Sequence, residues 1–152
     1  MQDIGHWKFD KEFVPDEWFG FIYRITDLNT GQEYIGKKQF HTHIRKAVKG
    51  RKNKKRISKE SAWKEYTSSS THVNKAIEEN GKDKFIFQIE SLHKSKGSLY
   101  YAEVEKQIME NVLKAKMTDG TTPKYYNKQI GAVRFIPPDE LLEEANAKFT
   151  QQ

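Results

Sequence analysis

The sequence predicts an α+β fold in which a small central antiparallel sheet of about three strands is flanked by helices. Three observations predict it: two strand-like segments joined by a glycine-containing turn, a third segment of alternating apolar residues, and helical periodicity between and after them. The resulting order β-β-α-α-β-α is typical of α+β folds. A chain of 152 residues is long enough for one domain with its own core.

The first two strands are predicted to form a hairpin. Residues 19–26 and 33–37 are rich in aromatic and β-branched side chains, and Asn29 and Gly31 supply turn chemistry between them. Residues 1–18 mix four aromatic side chains with charged ones. They are expected to form an irregular N-terminal arm that packs its aromatics on the body.

The segment after the hairpin, residues 38–60, is a basic insertion with little apolar period. A helical piece around residues 43–48, followed by a mobile loop, is expected there. A short helical turn at 61–70 and a helix at roughly 71–80 come next, because apolar residues recur at helical spacing. Gly81 is placed to end that helix.

The second half of the chain carries the third strand and the longest helix. Residues 84–91 alternate apolar and polar side chains, and residues 95–114 carry an apolar stripe at helical spacing. Residues 128–136 are predicted to add a short edge strand, and residues 137–152 an amphipathic C-terminal helix. The chain thus divides into the N-terminal arm, a body at 19–136 and the C-terminal helix.

The distribution of charge indicates a polyanionic partner. The formal net charge is +6, from 27 Lys and Arg against 21 Asp and Glu. Residues 45–60 hold nine basic residues and one acidic residue, so this stretch carries +8 and the rest of the chain −2. Nucleic acid is favoured over an anionic membrane or an acidic protein. The predicted nucleic-acid-binding residues are Lys46, Lys49, Arg51, Lys52, Lys54, Lys55 and Lys59.

Composition excludes several kinds of site. The chain has no cysteine, which excludes thiol nucleophiles, disulfides and cysteine-ligated metal centres. No apolar stretch approaches the roughly 18 residues of a membrane span, and the N-terminus lacks a signal-peptide layout. A cytoplasmic protein with no membrane partner is expected.

His41 and His43 share a strand face, but a proton-transfer or phosphate contact is favoured over a metal site.

The predicted hairpin also carries candidate chemistry. Tyr23 and Tyr34 lie on its paired strands, and Lys37 and Lys38 follow the second tyrosine. A phenol with a pKa of about 10 is a poor base at neutral pH, but nearby cations favour its phenolate. A tyrosine beside a lysine is therefore a chemically sensible general base or proton relay, while simple packing is the alternative.

The same residues resemble the signature of the GIY-YIG endonuclease family. Gly20-Phe21-Ile22-Tyr23 is followed after ten residues by Tyr34-Ile35-Gly36, and the similarity extends over residues 20–127. The chain most resembles small phage-encoded members, in which a basic insertion follows the second motif. The other matching positions are Trp63, Tyr66, Ser68, Ser69, Gly81, Phe85, Ile89, Glu90, Glu103, Tyr126 and Asn127.

The resemblance implies a nuclease that hydrolyses phosphodiester bonds in DNA with one divalent cation, Mg²⁺ or Mn²⁺. The family's metal-binding carboxylate corresponds to Glu103, while Glu105 lies on another face of the same helix. Tyr23 and Tyr34 correspond to the motif tyrosines, one of which acts as or assists the general base. Asn127 would brace the site by hydrogen bonds. The products would carry 5′-phosphate and 3′-hydroxyl ends.

The family's catalytic arginine has two candidates. Arg45 is ranked first because it lies close to the expected distance after Tyr34, and Arg56 second because the basic insertion could bring it to the site. Lys37 or Lys38 could share the role of stabilising charge on the phosphate.

Two rival interpretations stay open. A non-catalytic nucleic-acid-binding protein would use residues 45–60 but would need neither Glu103 nor the tyrosines. A structural or interaction protein would use the acidic residues at 139–144. The sequence is compatible with a monomer or a homodimer, and with a phage-encoded protein acting in a bacterial host.

Overall fold

A mixed sheet of four strands and two helices form the body of the protein in the computed structural model. The structure describes residues 2–46, 49–50, 52 and 55–131. In chain order the elements are β1 (Trp7–Lys8), β2 (Gly20–Asp27), β3 (Glu33–Gln39), β4 (His41–Lys46), β5 (Lys55–Glu60), α1 (Thr71–Asn80), β6 (Phe85–His93) and α2 (Lys96–Met109).

The four-stranded sheet has the order β1-β6-β2-β3, and the predicted α+β fold is confirmed. The strands β3, β2 and β6 are antiparallel neighbours and are the three strands that the sequence predicts. The short β1 adds a parallel strand on the far side of β6. Strand β3 therefore lies at an edge of this sheet.

The predicted hairpin of β2 and β3 is confirmed, and its turn is closed by Asp27. The carbonyl of Asp27 accepts from the N–H of Gly31 at 2.7 Å, and its carboxylate accepts from the N–H of Asn29 at 2.9 Å. Gly31 has a φ of 80°, which glycine adopts without steric cost. The second strand extends to Gln39, two residues beyond its predicted end.

The N-terminal arm is less irregular than predicted. Trp7 pairs with Phe87 of β6, and its indole is only 3% exposed. Its ring centroid lies 5.0 Å from that of Phe21 and 5.1 Å from that of Tyr23. A two-residue strand carries no periodic signal, so its pairing could not be derived from the sequence.

The helical piece predicted around residues 43–48 is wrong for residues 43–46, which lie in β4, and residues 55–60 form β5. Much of the mobile loop predicted to follow the helical piece lies outside the described residues. Strands β4 and β5 form a second, two-stranded antiparallel sheet, here called the β4–β5 ribbon. Its register runs from His41 opposite Glu60 to Lys46 opposite Lys55. The β-branched residues Ile44 and Ile57 are Cα partners in this register. Because many lysines surround them in the sequence, neither strand shows a recognisable alternation of apolar and polar residues.

Apolar side chains pack on both faces of the four-stranded sheet, because alternate residues of β2 point to opposite sides. On one face Phe21, Tyr23 and Ile25 join a core with Trp63. On the other face Ile22 and Ile35 pack with Leu99 of α2, Val112 and Tyr125. Strands β2 and β3 therefore lie between two apolar cores, one on the side of the N-terminal arm and one on the side of α2.

The two predicted helices form, with different boundaries for the second. Ser70 caps α1 by accepting from the N–H of Val73, and Gly81 follows it with a φ of 90°. Helix α2 ends at Met109, earlier than predicted, and the chain continues in turns. None of the described helices is long and apolar enough to span a bilayer.

The C-terminal predictions fall mostly outside the described residues. Residues 128–131 form no strand, and the rest of the edge strand predicted at 128–136 is not described. The C-terminal helix at 137–152 and the acidic stretch at 139–144 also lie outside the described part of the chain.

Candidate active site

A cleft of about 230 Å³ opens at β3, the edge strand of the four-stranded sheet. It brings together both motif tyrosines, both candidate lysines and the candidate metal ligand. The neighbouring wall comes from the start of the β4–β5 ribbon and from the segment before α1. The lining residues are Tyr23, Tyr34, Gly36, Lys37, Lys38, Gln39, Thr42, Tyr66, Ser69 and Glu103.

The two motif tyrosines share one face of the hairpin. Tyr23 lies opposite Gly36 and Ile25 opposite Tyr34, so the register places both rings on the same side. Their ring centroids are 6.1 Å apart. Tyr23 is 1% exposed, whereas Tyr34 is partly exposed in the cleft.

The surroundings of both phenols favour their protonated forms. Burial raises the pKa of Tyr23 well above its ordinary value. Burial also raises the pKa of Tyr34, and the nearby Glu103 carboxylate raises it further. Loss of a proton from either tyrosine therefore requires added positive charge or hydrogen-bond donors at its oxygen.

Gly36 is required by the position of the Tyr23 hydroxyl. A Cβ at Gly36 would lie 2.5 Å from Tyr23 Oη and 2.7 Å from its Cζ, and 2.9 Å from Cε1 of Tyr34. Real Cβ atoms do not approach this closely, so any side chain here would displace the tyrosines. Only glycine fits at position 36, the last residue of the second motif, because the phenol of Tyr23 from the first motif lies directly against it.

Glu103 reaches the cleft from α2, which packs on the opposite face of the sheet. Its Oε1 lies 3.0 Å from Nζ of Lys37, and the two side chains are 15% and 28% exposed. The same Nζ lies 4.3 Å from the centroid of the Tyr100 ring. Glu105, two residues along the helix, is exposed and does not line the cleft.

Lys38 stands on the tyrosine side of β3. Its Nζ lies 4.3 Å from the centroid of the Tyr66 ring, which meets Tyr23 edge-on with centroids 6.0 Å apart. Burial lowers the pKa of Lys38. Sequence reasoning assigned no catalytic role to Tyr66, Ser69 or Thr42, and it identified the first two only as positions that match the family resemblance.

Asn127 does not line the cleft but holds the backbone of β3 behind it. Its Oδ1 accepts from the N–H of Ile35 at 3.1 Å, and its Nδ2 donates to the Ile35 carbonyl at 2.8 Å. Nε2 of Gln107 donates to the same carbonyl at 2.9 Å. Because β3 is an edge strand, the Asn127 amide takes the place of a neighbouring strand between Tyr34 and Gly36.

The two candidate arginines are paired with each other on the β4–β5 ribbon. Arg45 and Arg56 are Cα partners, at register positions that share a face with His43 and alternate with Thr42. His43 lines a second cleft of about 260 Å³, whereas Thr42 lines the cleft with the tyrosines. The side chains of Arg45 and Arg56 lie outside the described part of the structure.

The predicted nucleic-acid-binding lysines are described only in part. Lys49, Lys52 and Lys59 are exposed. The side chains of the other four lie outside the described residues: Lys46, Arg51, Lys54 and Lys55. His41 lines the second cleft, where its Nε2 lies 3.0 Å from Oδ1 of Asp16.

The donor set of the first cleft fits a hard divalent cation that shares its ligands with a substrate. The described residues contain no group of three or more His, Cys, Asp or Glu able to hold a metal ion. Of the described residues that line the cleft, Glu103 is the single carboxylate, and Tyr34 and Ser69 add hydroxyl groups to the same lining. Mg²⁺ is commonly bound by one or two carboxylates, waters and phosphate oxygens. The contact with Lys37 shows that positive charge is favoured at Glu103.

Comparison with protein families gives one match. A family model described as "Putative endonuclease segE, GIY-YIG domain" matches residues 6–130, a range that includes every helix and strand described above. Comparisons with curated proteins and with solved structures found no match.

Proposed function

Because the chain belongs to the GIY-YIG endonuclease family, we propose that it cleaves DNA by hydrolysis with a divalent cation. One observation carries the proposal. A single cleft holds both motif tyrosines, Lys37, Lys38 and Glu103. Together they supply an acceptor for the proton of water, positive charge for a phosphate and a carboxylate for the cation.

In the proposed reaction, water attacks phosphorus, the bond from phosphorus to O3′ breaks, and O3′ takes up a proton. Tyr34 is assigned to the attacking water because it is partly exposed in the cleft, whereas Tyr23 is buried. Tyr34 would first release its own proton to solvent, favoured by the positive charge of Lys38 and of a cation held by Glu103, and its phenolate Oη would then accept the proton of the water. Tyr23 packs beside it and holds its ring in place.

Lys37 and Lys38 are assigned to the charge that develops on the phosphate oxygens. They leave β3 on opposite faces, so one approaches from the side of α2 and the other from the side of Tyr66. A cation held by Glu103 would supply positive charge at the scissile phosphate and at the leaving oxygen. Arg45 and Arg56 remain candidates for the same task.

The β4–β5 ribbon is proposed to bind the DNA backbone. It begins two residues after β3 ends, and its Thr42 lines the cleft, so the ribbon extends from the rim of the site. Residues 45–60, which comprise parts of both strands and the segment that joins them, hold nine basic residues and one acidic residue. Such contacts position a duplex and release counterions, and they carry no sequence information by themselves.

Removing the exposed lysines of the ribbon and of the segment that joins its two strands is expected to weaken DNA binding and to reduce the salt dependence of that binding. The slope of log affinity against log salt should become shallower by about 0.9 for each phosphate that the variant no longer neutralises. Titrations of a labelled duplex at several salt concentrations measure it. The variant replaces Lys49, Lys52 and Lys59 by alanine.

A matched variant removes the same charge from the opposite end of the sheet, near the turn between β2 and β3. It should bind DNA with the wild-type salt slope. Equal slopes for both triple variants would contradict a role for the ribbon in binding. The matched variant replaces the exposed Lys84, Lys114 and Lys116 by alanine.

Gly36→Ala is expected to lower the cleavage rate about a hundredfold, because displacing reacting groups by about 1 Å has effects of that size. The new Cβ would lie 2.5 Å from Tyr23 Oη and would move both tyrosines. Initial rates measure the effect, and circular dichroism checks the fold. Gly131→Ala is the control, since its Cβ would meet nothing within 4 Å. A wild-type rate for Gly36→Ala would contradict the assigned roles.

The experiment that tests the proposed function is incubation of a labelled duplex with the protein and Mg²⁺, with binding followed in parallel. We expect cut strands with 5′-phosphate and 3′-hydroxyl ends, which DNA ligase can reseal. A duplex that is bound but stays intact under all conditions would overturn the proposal. The non-catalytic nucleic-acid-binding protein would then be the better interpretation.

A further inference from the structure

The two lysines of the cleft have different partners. Nζ of Lys37 lies 3.0 Å from Oε1 of Glu103, the single carboxylate among the described residues that line the cleft. Lys38 forms no ion pair with any described carboxylate. Its Nζ lies instead 4.3 Å from the centroid of the Tyr66 ring. Within the described part of the cleft, the charge of Lys38 is therefore not neutralised by another side chain.

The position of Lys38 on β3 places its charge on the side of the motif tyrosines. Tyr34, Gly36 and Lys38 alternate along the strand and share the face that carries Tyr23. Gly36 leaves no side chain between the other two, and both Tyr34 and Lys38 line the cleft. The ammonium of Lys38 thus lies on the same side of β3 as the water that the proposed function assigns to Tyr34.

The Tyr66 ring that Lys38 contacts is held by the packing around it. The N–H of Tyr66 donates to the carbonyl of the buried Trp63 at 3.3 Å, and its own carbonyl lies 3.0 Å from Nε2 of His6. The ring meets that of Tyr23 edge-on, with centroids 6.0 Å apart. Tyr66 therefore offers Lys38 an aromatic face in a fixed place.

We propose that Tyr66 is a positioning residue, which holds the ammonium of Lys38 against the face of its ring and so presents that charge to the phosphate that is cleaved. An aromatic face attracts a cation without neutralising it, whereas a carboxylate would cancel the charge that the phosphate requires. The stem of lysine is flexible, so a contact that restricts it lowers the cost of placing the charge. The part that Lys38 plays in cleavage rests on the proposed function.

Four variants separate the ring of Tyr66 from its hydroxyl and from the charge of Lys38. Tyr66→Phe keeps the ring and removes the hydroxyl, whereas Tyr66→Leu removes the ring. Lys38→Met removes the charge. Lys94→Met is the matched control, because Nζ of Lys94 lies 4.1 Å from the centroid of the Trp18 ring, outside the lining of this cleft. Circular dichroism checks the fold of each variant.

The first measurement needs neither DNA nor metal, and it follows the ε-methylene signals of labelled lysine by NMR. Protons above an aromatic face are shielded, so the Lys38 signals, identified by their loss in Lys38→Met, should lie upfield in the wild type and in Tyr66→Phe. In Tyr66→Leu they should move to the position of exposed lysines, while the Lys94 signals stay in place.

Two results of this measurement would overturn the inference. One is an unshielded Lys38 signal in the wild-type protein, which requires no variant of Tyr66. The other is a Lys38 signal that is the same in Tyr66→Leu as in the wild type.

The second measurement is the rate of DNA cleavage. Tyr66→Leu should lose about tenfold in kcat with KM unchanged, and Tyr66→Phe should stay within about twofold of the wild type. When Lys38 is already methionine, Tyr66→Leu should cause little further loss, because both changes remove the effect of the same charge. Lys94→Met should cut at the wild-type rate.

The cleavage rates distinguish a positioning role from simple packing. An equal loss from Tyr66→Leu with and without Lys38 would show that Tyr66 acts only by packing on Tyr23, and it would overturn the inference. A tenfold loss in Tyr66→Phe would assign the effect to the hydroxyl and would overturn it as well. A shielded Lys38 signal that depends on Tyr66, in a wild-type protein that cuts no DNA, would support the held ammonium and contradict the proposed function.

Discussion

Replacing Glu103 by glutamine is expected to lower the rate of DNA cleavage by about a thousandfold and to leave DNA binding in place. Glutamine keeps the size of the side chain and removes its charge. Among the described residues that line the cleft, Glu103 is the single carboxylate, so no other described side chain there offers a carboxylate to a cation. The substitution also frees Lys37 from its 3.0 Å contact, which should not weaken the attraction for a phosphate.

Glu105→Gln is the matched control for this prediction. It makes the same chemical change two residues along α2, on an exposed side chain outside the cleft. Plasmid cleavage and duplex binding are measured for both variants beside the wild type. Cleavage that survives in Glu103→Gln and is lost in Glu105→Gln would show that the ligand has been assigned to the wrong carboxylate.

Arg24→Met is expected to lower the free energy of unfolding by about 3 kcal/mol, the lower end of the cost of removing one partner from a buried ion pair. The guanidinium of Arg24 contacts the carboxylates of Glu33 at 3.1 Å and Glu110 at 2.8 Å, and also that of Glu90. Its side chain is 17% exposed. Methionine fills similar space but leaves three partly buried carboxylates without their shared cation.

The effect of Arg24→Met should depend on pH. Arg24 is the main cause that holds the pKa of Glu110 below its ordinary value. A carboxyl with a depressed folded pKa contributes stability that is present above its unfolded pKa and is lost as pH falls through the folded pKa. The difference between wild type and variant should therefore be full at neutral pH and shrink in acid as Glu110 takes up a proton.

Urea denaturation at neutral and acidic pH measures both parts of this prediction. Lys106→Met is the control, because Lys106 is more exposed and its Nζ lies 3.6 Å from the same Glu110 carboxylate. An exposed pair of this kind contributes at most about 1 kcal/mol. If Arg24→Met is no less stable than Lys106→Met, the three-carboxylate cluster does not stabilise the fold.

The elements that the sequence predicts correctly have strong local signals. The hairpin has β-branched and aromatic runs on both sides of a glycine turn, and α1 has an apolar stripe with Ser70 before it and Gly81 after it. The β4–β5 ribbon could not be derived in the same way. Its two strands are paired between residues far apart in the chain, such as Ile44 and Ile57, which lie thirteen residues apart along a basic segment.

In the candidate site, too, some residues could be placed from local sequence signals and others only from tertiary contacts. Tyr23, Tyr34 and Glu103 could be placed from motif positions, and the structure brings them to one cleft. Tyr66 and Ser69 enter the cleft lining only because the segment before α1 packs beside the hairpin, where the Tyr66 ring meets that of Tyr23, and no local pattern in the sequence predicts this tertiary contact. The choice between Arg45 and Arg56 depends on how the ribbon is paired, which the sequence does not encode locally.

The most direct test of the central claim is the rate of plasmid cleavage by the wild-type protein as a function of Mg²⁺ concentration, starting from chelated metal at fixed low salt. We predict no cleavage in chelator and a rate that rises and saturates as Mg²⁺ is added, with DNA binding present throughout. A rate that is the same in chelator as in Mg²⁺, or binding without cleavage at every concentration, would contradict the claim.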